Sequence, residues 1–560
     1  MDRAEAVIPA QDTRAAAPGG TTVDDAPTTG FRLGGIGPRV DPYLLATVFF
    51  AAFLALSVTR YRRMLTMSWD LGIFEQAVGS YAHFHAPVAD LKGPGFNILG
   101  DHFSPITALI APFYRVFPSP VTLLVAQALL FALSIVPVTR GAAHLLGRGR
   151  GLAVGVAYGL SWGVQRAVEF DFHEIAFAMP LLAFSLEAVL RRKWAPAMWW
   201  ALPLIFVKED MGVTAAAIGA IVWLRTRKET EPDAGSEAMS GAPSGAGSVG
   251  GSGTVGGSGS ARGEDVVPAP RADGGETPEA PEADGSGTRA EEPPRLSDGM
   301  RYGPYALGLV SLGVLASALA FAVIIPAFNS AGGYDYWNKL NGNGAPMPGH
   351  IPFGTAVHTL LWILLPTTGL LALRSPLLLA ALPTIGWRFI SHDDHYWGTD
   401  WHYSAVLMPV VFLALVDAAA LSRRSPRPWL RSYASGLPAA AAGAALALTL
   451  TMPLASLSDS DTYKVDAHTK AVEKLLETVP SGSSVEANVG PISRLVHRTT
   501  VYWVGDTQGI SPDYIVIDNS SGWVPDPLTY AKQLHPNAEY QQIVNAEGYV
   551  IMHRTSPPNG

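Results

Sequence analysis

Long apolar runs recur through most of the chain, and their length constrains the fold more than any other feature. A helix needs about 20 apolar residues to cross a bilayer, with roughly 17–25 tolerated. Only 15% of the residues are charged, whereas soluble domains carry about a quarter. The pattern therefore predicts an α-helical polytopic membrane protein. The apolar runs are 43–59, 119–139, 151–167, 174–190, 194–225, 304–326, 354–372, 376–390, 403–421 and 434–455.

The run 194–225 is interrupted by the charged triplet Lys208, Glu209 and Asp210. We interpret it as two short spans hinged at the triplet, which brings the predicted number of transmembrane helices to eleven. The segment 104–117 is short and contains two prolines and an arginine. It is predicted to be interfacial or re-entrant, because a further crossing there would reverse the orientation of everything downstream.

Lysine and arginine in short loops favour the cytoplasmic side of a membrane. With the N-terminus inside and eleven spans, five basic clusters fall on that side, and only Arg60, Arg62 and Arg63 fall outside. The sequence therefore predicts a multi-pass plasma-membrane protein with a cytoplasmic N-terminus.

Composition divides the chain into five predicted regions. Two are low in complexity, one rich in Ala, Pro, Gly and Thr, the other in Gly, Ser, Pro and acidic residues. The last has the spacing of short strands and helices. The regions are a disordered cytoplasmic tail (1–42), an N-terminal bundle (43–228) with a first outer loop (60–118), a disordered cytoplasmic linker (229–300), a C-terminal bundle (301–455) and a small extracytoplasmic α/β domain (456–560).

Charge and cysteine content exclude several classes of function. The formal charge of -8 falls mostly in the linker, and the rest of the chain is near neutral, so no nucleic-acid partner is expected. The chain has no cysteine. Thiolate catalysis, cysteine-ligated zinc and disulfides are therefore excluded.

Six polar clusters lie beside apolar runs, and the predicted topology puts all six on the outer side. They include WDLGIFEQ (Asp70, Glu75), GDHFSP (His102), EFDFHE (His173), the triplet at 208–210 and SHDDHYWGTDWH. Ionisable groups at membrane depth are costly unless they are paired or lie in a wet cavity, so they are candidates for function. Any single cluster also fits helix caps or solvated loop residues. Six clusters on one face favour a shared outer site.

The last of these clusters contains enough imidazole and carboxylate to hold a divalent cation, such as Mg²⁺ or Mn²⁺. The candidate ligands are His392, Asp393 and His395. An interfacial aromatic belt with satisfied polar neighbours is the alternative interpretation.

Several of these motifs resemble DUF2079, a family of polytopic bacterial membrane proteins. They are WDLGIFEQ, NILGDHFSPITALIAPFYRVF, FDFHEIAFAMPLLAF, KED, WHYSAVLMPVVFLAL and the terminal DYIVID and GYVIMHR. The layout distantly resembles the GT-C superfamily of glycosyltransferases, which use lipid-phosphate-linked sugars. The resemblance implies a membrane glycosyltransferase that moves a sugar from a polyprenyl-phosphate donor to an envelope acceptor.

By resemblance, Asp70 matches the first-loop acid and His102 occupies the position of the second polar block. The chemistry of sugar transfer, which needs a base and cations for the departing phosphate, then gives a catalytic set and a donor-phosphate set. One feature departs from the GT-C pattern. Glu75 follows Asp70 by five residues, which rotates the two side chains by about 140° on a helix, so they need not share a site. The catalytic set is Asp70, Glu75, His102 and His173, and the phosphate set is Lys208, Glu209, Asp210 and Tyr403.

Two other classes of function remain open. A lipid or solute transporter would use the same charges as a pathway, with acids near mid-span and an internal repeat of hydropathy. A non-catalytic membrane scaffold would bind envelope partners through its outer α/β domain. The scaffold predicts that Asp70→Asn leaves the phenotype intact.

Overall fold

The structure is a computed structural model that describes residues 37, 39–228, 297–330, 334, 336 and 349–557. Most of the predicted tail and linker lies outside these residues. The first half of the chain is helical and connected by short 3-10 turns. Its helices are α1 Asp41–Arg62, α2 Trp69–Ala82, α3 Ala111–Val116, α4 Pro120–Leu146, α5 Arg148–Gly159, α6 Trp162–Glu169, α7 Ala178–Leu190, α8 Trp194–Ala201 and α9 Met211–Lys228.

The second half begins with a long helix that passes through a π-helical turn, Ala320–Ile324. The segment before the C-terminal domain is again helical. Its helices are α10 Asp298–Leu319, α11 Ile325–Phe328, α12 Phe353–Thr368, α13 Leu382–Ile390, α14 Leu407–Ser422 and α15 Pro428–Thr449.

Four helical segments in the described part of the chain are long and apolar enough to cross a membrane: Asp41–Arg62, Pro120–Leu146, Asp298–Phe328 and His402–Ser422. Three shorter apolar segments accompany them. Residues 104–117 form a 3-10 turn and the short helix α3, too short to cross. The prediction of a mostly helical protein is confirmed, and the number of eleven spans stays a prediction.

Two predicted spans differ from continuous helices. The run 151–167 is divided between α5 and α6, because the chain leaves the helix at Leu160 and Ser161. The run 194–225 is broken at the charged triplet, where α9 begins at Met211. The hinge predicted there is present, and it brings three ionisable side chains to the start of a helix.

The C-terminal region contains a five-stranded sheet in the order β2-β1-β3-β5-β4. β1 pairs in parallel with β2 and β3, and β5 is antiparallel to β3 and β4. β4 was absent from the sequence prediction because its residues are mostly exposed and polar. The elements are β1 Ser484–Ala487, β2 Thr500–Trp503, β3 Tyr514–Asp518, β4 Tyr540–Ala546, β5 Tyr549–Arg554, α16 Ala467–Leu476, α17 Val489–Leu495 and α18 Pro527–Leu534.

The apolar core of this sheet continues into the segment that follows α1. Ile73 and Ala77 of α2 share one buried cluster with Val485 of β1 and Ile492 of α17. Gly72 makes the close approach possible, because a Cβ at that position would lie 2.5 Å from Ile492 Cγ2. The start of α2, which carries Asp70, is therefore packed against the C-terminal region as well as the membrane helices.

Candidate active site

Several predicted site residues meet in one cavity of about 140 Å³, here called the polar cavity. It lies where α2, α7, α9 and α14 begin, and its walls are aromatic with a few convergent polar groups. Such an arrangement is typical of small-molecule sites. The lining residues are Asp70, His102, His173, Lys208, Glu209, Asp210, Phe321, Tyr334, Tyr336, Trp387, Ser391, Tyr396, His402 and Tyr403.

Asp70 is an acid of the polar cavity whose carboxylate remains available for proton transfer. It lies in the first turn of α2, where the helix dipole favours a negative charge. Among the described residues its carboxylate has charged neighbours, including His173 and Lys208, but accepts no hydrogen bond from them. Burial raises the pKa of Asp70, and the neighbouring His173 opposes that rise. Asp70 is therefore a carboxylate available to accept a proton.

Lys208 belongs to a buried charge cluster that also reaches the lining of the polar cavity. Its Nζ lies 3.1 Å from Glu174 Oε1, and His173 Nδ1 lies 2.6 Å from Glu174 Oε2. Glu174 is fully buried. A buried carboxylate needs such partners, because an unpaired charge there would be costly. The pairing holds Lys208 and His173 at the wall of the polar cavity.

His102 is held by a second buried acid. Glu209 Oε1 lies 3.1 Å from His102 Nδ1 and accepts the Tyr334 hydroxyl at 2.8 Å, while Glu209 Oε2 accepts the Phe103 backbone N–H at 3.1 Å. The Tyr336 hydroxyl lies 3.0 Å from His102 Nε2. Burial and Lys208 lower the pKa of His102, but Asp101 and Glu209 outweigh them, so its pKa is raised. Glu209 thus orients His102.

The geometry changes the role predicted for two members of the phosphate set. Glu209 is engaged by N–H and O–H donors, and the Asp210 carboxylate would repel an anionic phosphate. Lys208 is the cationic side chain among the described lining residues. The Tyr403 ring lies 4.2 Å from His402 and 4.8 Å from Tyr396.

His402 was not among the predicted site residues, although it lies in the SHDDHYWGTDWH cluster. It is only 2% exposed, and neither ring nitrogen has a hydrogen-bond partner among the described residues. Its ring stacks on His173, with centroids 4.0 Å apart. The one sequence signal is its place at the start of the apolar run, and that signal does not separate it from His392 or His395.

A family model for predicted membrane proteins, DUF2079, matches residues 60–551. The chain is a DUF2079 membrane protein. No curated protein matches its sequence. Among solved structures, this DUF2079 protein is similar to the crystal structure of ArnT from Cupriavidus metallidurans bound to undecaprenyl phosphate, with 13% identity, a TM-score of 0.47 and coverage of 90% of this chain and 97% of that chain. A likeness of that size does not establish a shared activity.

Arg388 fixes the loop that contributes the aromatic wall of the DUF2079 site. Its guanidinium is buried and donates to the carbonyls of Tyr396 and Gly398, both at 2.8 Å, and to Ser404 Oγ at 3.1 Å. No sequence pattern predicted this role, because the loop residues that accept from Arg388 use mostly backbone oxygens. The interaction explains how a loop between two helices keeps a defined shape.

Glu75 lies outside the polar cavity, so the structure does not bring together all of the predicted catalytic set. It accepts the Tyr114 hydroxyl at 2.8 Å on one oxygen, and the other oxygen has no partner in the described part of the chain. Burial raises the pKa of Glu75 well above its ordinary value. The rotation of about 140° between Asp70 and Glu75 on α2 accounts for this separation.

The predicted metal set is also rearranged. Asp393, Asp394 and His395 have ligand atoms within 4.8 Å of one another, while the ring of His392 lies 4.3 Å from that of His350. This group is mostly exposed, and its His395 Nδ1 is 2.8 Å from Asp393 Oδ1. Among the described lining residues of the polar cavity, no three metal-ligating side chains come together in this way.

Proposed function

We propose that this DUF2079 protein transfers a sugar from a polyprenyl-phosphate donor to an envelope acceptor at the outer face of the plasma membrane. One observation carries the proposal. Asp70, a carboxylate with no hydrogen-bond partner among the described residues, and Lys208, a positioned ammonium, line the same cavity where membrane helices begin. Sugar transfer from a lipid phosphate requires both kinds of group, close to the bilayer that holds the donor.

The acceptor oxygen attacks the anomeric carbon of the donor sugar as the bond from that carbon to the phosphate oxygen breaks. The acceptor proton passes to Asp70, and the polyprenyl phosphate leaves with the bonding electron pair. A positioned general base contributes typically about 10²–10⁴-fold to the rate. Asp70 suits this step because no donor among the described residues occupies its carboxylate.

Lys208 is the candidate for stabilising the charge on the departing phosphate. An ammonium has three N–H donors, so the contact with Glu174 leaves others for a ligand. Cationic groups fixed before the reaction stabilise developing negative charge without reorganisation. His102 and His402 are the neighbouring imidazoles in the polar cavity.

The test supplies the purified full-length protein with radiolabelled polyprenyl-phosphate hexoses and measures the release of polyprenyl phosphate. Asp70→Asn is expected to lower turnover by about 10²-fold or more. Glu75→Gln is the matched control, since Glu75 is on the same helix but outside the polar cavity. Its turnover is expected to stay near that of the wild type.

Equal loss in both variants would point to a defect in α2 rather than in a reacting group. The absence of turnover with every donor would favour the scaffold. Movement of the intact donor across proteoliposomes without release of polyprenyl phosphate would favour the transporter.

A further inference from the structure

One buried side chain in the wall of the polar cavity has no role in the transfer proposed above. His402 lines the cavity and is almost fully buried, yet neither of its ring nitrogens has a hydrogen-bond partner among the described residues. Leaving a buried polar atom unpaired is costly, and native structures rarely do so. Because the ring borders the polar cavity, a molecule bound there is in position to supply the partner.

Three neighbouring rings pack against the imidazole of His402. Its centroid lies 4.0 Å from that of His173, 4.2 Å from that of Tyr403 and 4.4 Å from that of Phe170. A side chain that is already held by packing loses little conformational freedom when it binds a ligand. The two ring nitrogens of His402 are therefore preorganised.

The neighbours of His402 favour an uncharged imidazole. The charged groups that act on it include the cations Lys208 and Arg388. The carboxylate among them, Glu174, already engages Lys208 and His173. A positive charge on His402 would be repelled by the cations and would have no counter-ion of its own, which is costly for a buried group. A neutral imidazole has one N–H donor and one nitrogen acceptor.

A hydroxyl is the ligand group that matches such an imidazole. It both donates and accepts, so it pairs with either ring nitrogen, whichever carries the proton. A phosphate oxygen only accepts, and the polar cavity offers it the Lys208 ammonium. The sugar of a polyprenyl-phosphate donor is rich in hydroxyls and is bonded directly to the phosphate. His402 contacts His173, which is joined to Lys208 through Glu174, so a phosphate held at Lys208 brings its sugar towards His402.

We infer that His402 recognises the donor sugar by hydrogen-bonding one of its hydroxyls, and that it thereby determines which sugar the polar cavity accepts. The inference rests on the proposed sugar transfer for the identity of the ligand, but it concerns binding and not turnover. A site built to hydrogen-bond a hydroxyl rejects the analogue that lacks it, because the buried polar group of the protein is then left unpaired.

The test measures donor binding to the purified full-length protein by native mass spectrometry, with no acceptor present. The probes are bare polyprenyl phosphate, a panel of polyprenyl-phosphate hexoses, and deoxy analogues of the hexose donor that binds most tightly. The wild type is expected to prefer that donor to the bare lipid, and removal of one particular hydroxyl should weaken its binding about 10-fold. His402→Phe should bind the intact donor about 10-fold more weakly than the wild type. Removal of the same hydroxyl should then have no further effect.

Three further variants complete the design. His402→Leu deletes both nitrogens with a smaller side chain and is expected to behave as His402→Phe. His402→Gln restores one donor and one acceptor and should retain part of the preference. His85→Phe is the matched control, because His85 is an exposed histidine beyond the end of α2 and outside the polar cavity. Every variant should bind bare polyprenyl phosphate as the wild type does, which also shows that it is folded.

Equal weakening of the bare lipid and the hexose donor in His402→Phe and His402→Leu would assign His402 to the phosphate or to the shape of the cavity, and would overturn the inference. A wild type that binds every hexose donor no better than the bare lipid would do the same. So would additive effects of His402→Phe and of removing each hydroxyl in turn. Failure of the proposed function is a different result: a wild type that shows this binding but releases no polyprenyl phosphate with any acceptor would refute the transfer and keep the role of His402.

Discussion

The charged residues of the polar cavity differ in how much of their bonding capacity remains for a ligand. Glu174 and Glu209 are buried and engaged, and they hold Lys208, His173 and His102 in position. Asp70 has no such engagement among the described residues. This division separates residues that hold the site in shape from one that can take part in proton transfer, and it makes the role of Asp70 the most direct to test.

The pH dependence of turnover should report Asp70. Burial raises the pKa of Asp70 from its ordinary value of 3.8, and a base works only when it is deprotonated. We therefore expect kcat/KM to fall as the pH is lowered through a pKa above 3.8. Glu75 also has a raised pKa, so Glu75→Gln is the control. If the acidic limb of the profile disappears in Glu75→Gln, the titrating residue is Glu75 and the prediction for Asp70 is contradicted.

The contact of Lys208 with Glu174 predicts that a second substitution restores the stability of a Lys208 variant but not its turnover. Lys208→Met removes a partner of a fully buried carboxylate and is expected to lower thermal stability, since breaking such a pair costs about 3–5 kcal/mol. Adding Glu174→Gln removes the charge left behind and should restore much of that stability. Turnover should not return, because the ammonium for the phosphate is still missing. Recovery of turnover in the double variant would contradict the role of Lys208.

The sequence predicts several residues of the polar cavity because the distribution of lysine and arginine indicates which loops share a side of the membrane. Orientation by Lys/Arg placement puts Asp70, His102, His173 and Lys208 on one side of the membrane, and the structure brings them to one cavity. The motif WDLGIFEQ contains both Asp70 and Glu75. The rotation of about 140° between them on a helix is what indicates that they need not share a site. His402 required three-dimensional information, because its burial and its contact with the His173 ring distinguish it from His392 and His395.

At the scale of elements, a hydrogen-bonded link connects the start of α2 with two other parts of the fold. The Ser68 backbone N–H donates to Asp171 Oδ2 at 2.9 Å, and the Ser68 hydroxyl lies 2.9 Å from Ser493 Oγ of α17. Ser68 and Asp171 both have a positive φ, 62° and 82°. Such conformations cost about 1–3 kcal/mol each and persist only where the surroundings hold them. They fix the backbone next to Asp70 and His173.

A substitution at Gly72 tests the packing between α2 and the C-terminal region. A Cβ at Gly72 would lie 2.5 Å from Ile492 Cγ2 and 2.8 Å from Leu91 Cδ1, whereas at Gly79 the nearest atom is 3.5 Å away. Gly72→Ala is expected to destabilise the protein by about 1–3 kcal/mol through overpacking. Gly79→Ala should be neutral or slightly stabilising, because alanine favours the helix. Thermal melts of both variants measure the difference.

The sequence does not predict this contact. Apolar length identifies the long helices, and Asp526 before Pro527 is a typical helix start, here that of α18, where the Asp526 side chain accepts from Leu528 and Thr529. The shared core of α2, β1 and α17 joins segments more than 400 residues apart, and no local pattern records such a partner. The boundary at residue 456 stays a prediction, and the buried core of the sheet also includes Ile73 and Ala77 of α2.

For the whole molecule, the helices separate two chemical environments. α14 begins beside His402 and Tyr403 in the polar cavity and ends beside Arg423 and Arg424. The C-terminal region packs on α2, at the same end as Asp70. If arginine-rich helix ends face the cytosol, the polar cavity and the sheet must both face outward. Outer-face sugar transfer depends on this orientation.

Cysteine labelling of intact cells tests that orientation against a native chain that has no cysteine. Ser481→Cys is exposed near β1, and Arg423→Cys is exposed after α14. We expect a membrane-impermeant maleimide to label the first variant, and to label the second only after the cells are permeabilised. Both variants change exposed positions, so equal labelling after permeabilisation is the control for expression. The reverse pattern would place Asp70 and Lys208 on the cytosolic side, where an acceptor of the outer envelope could not reach them.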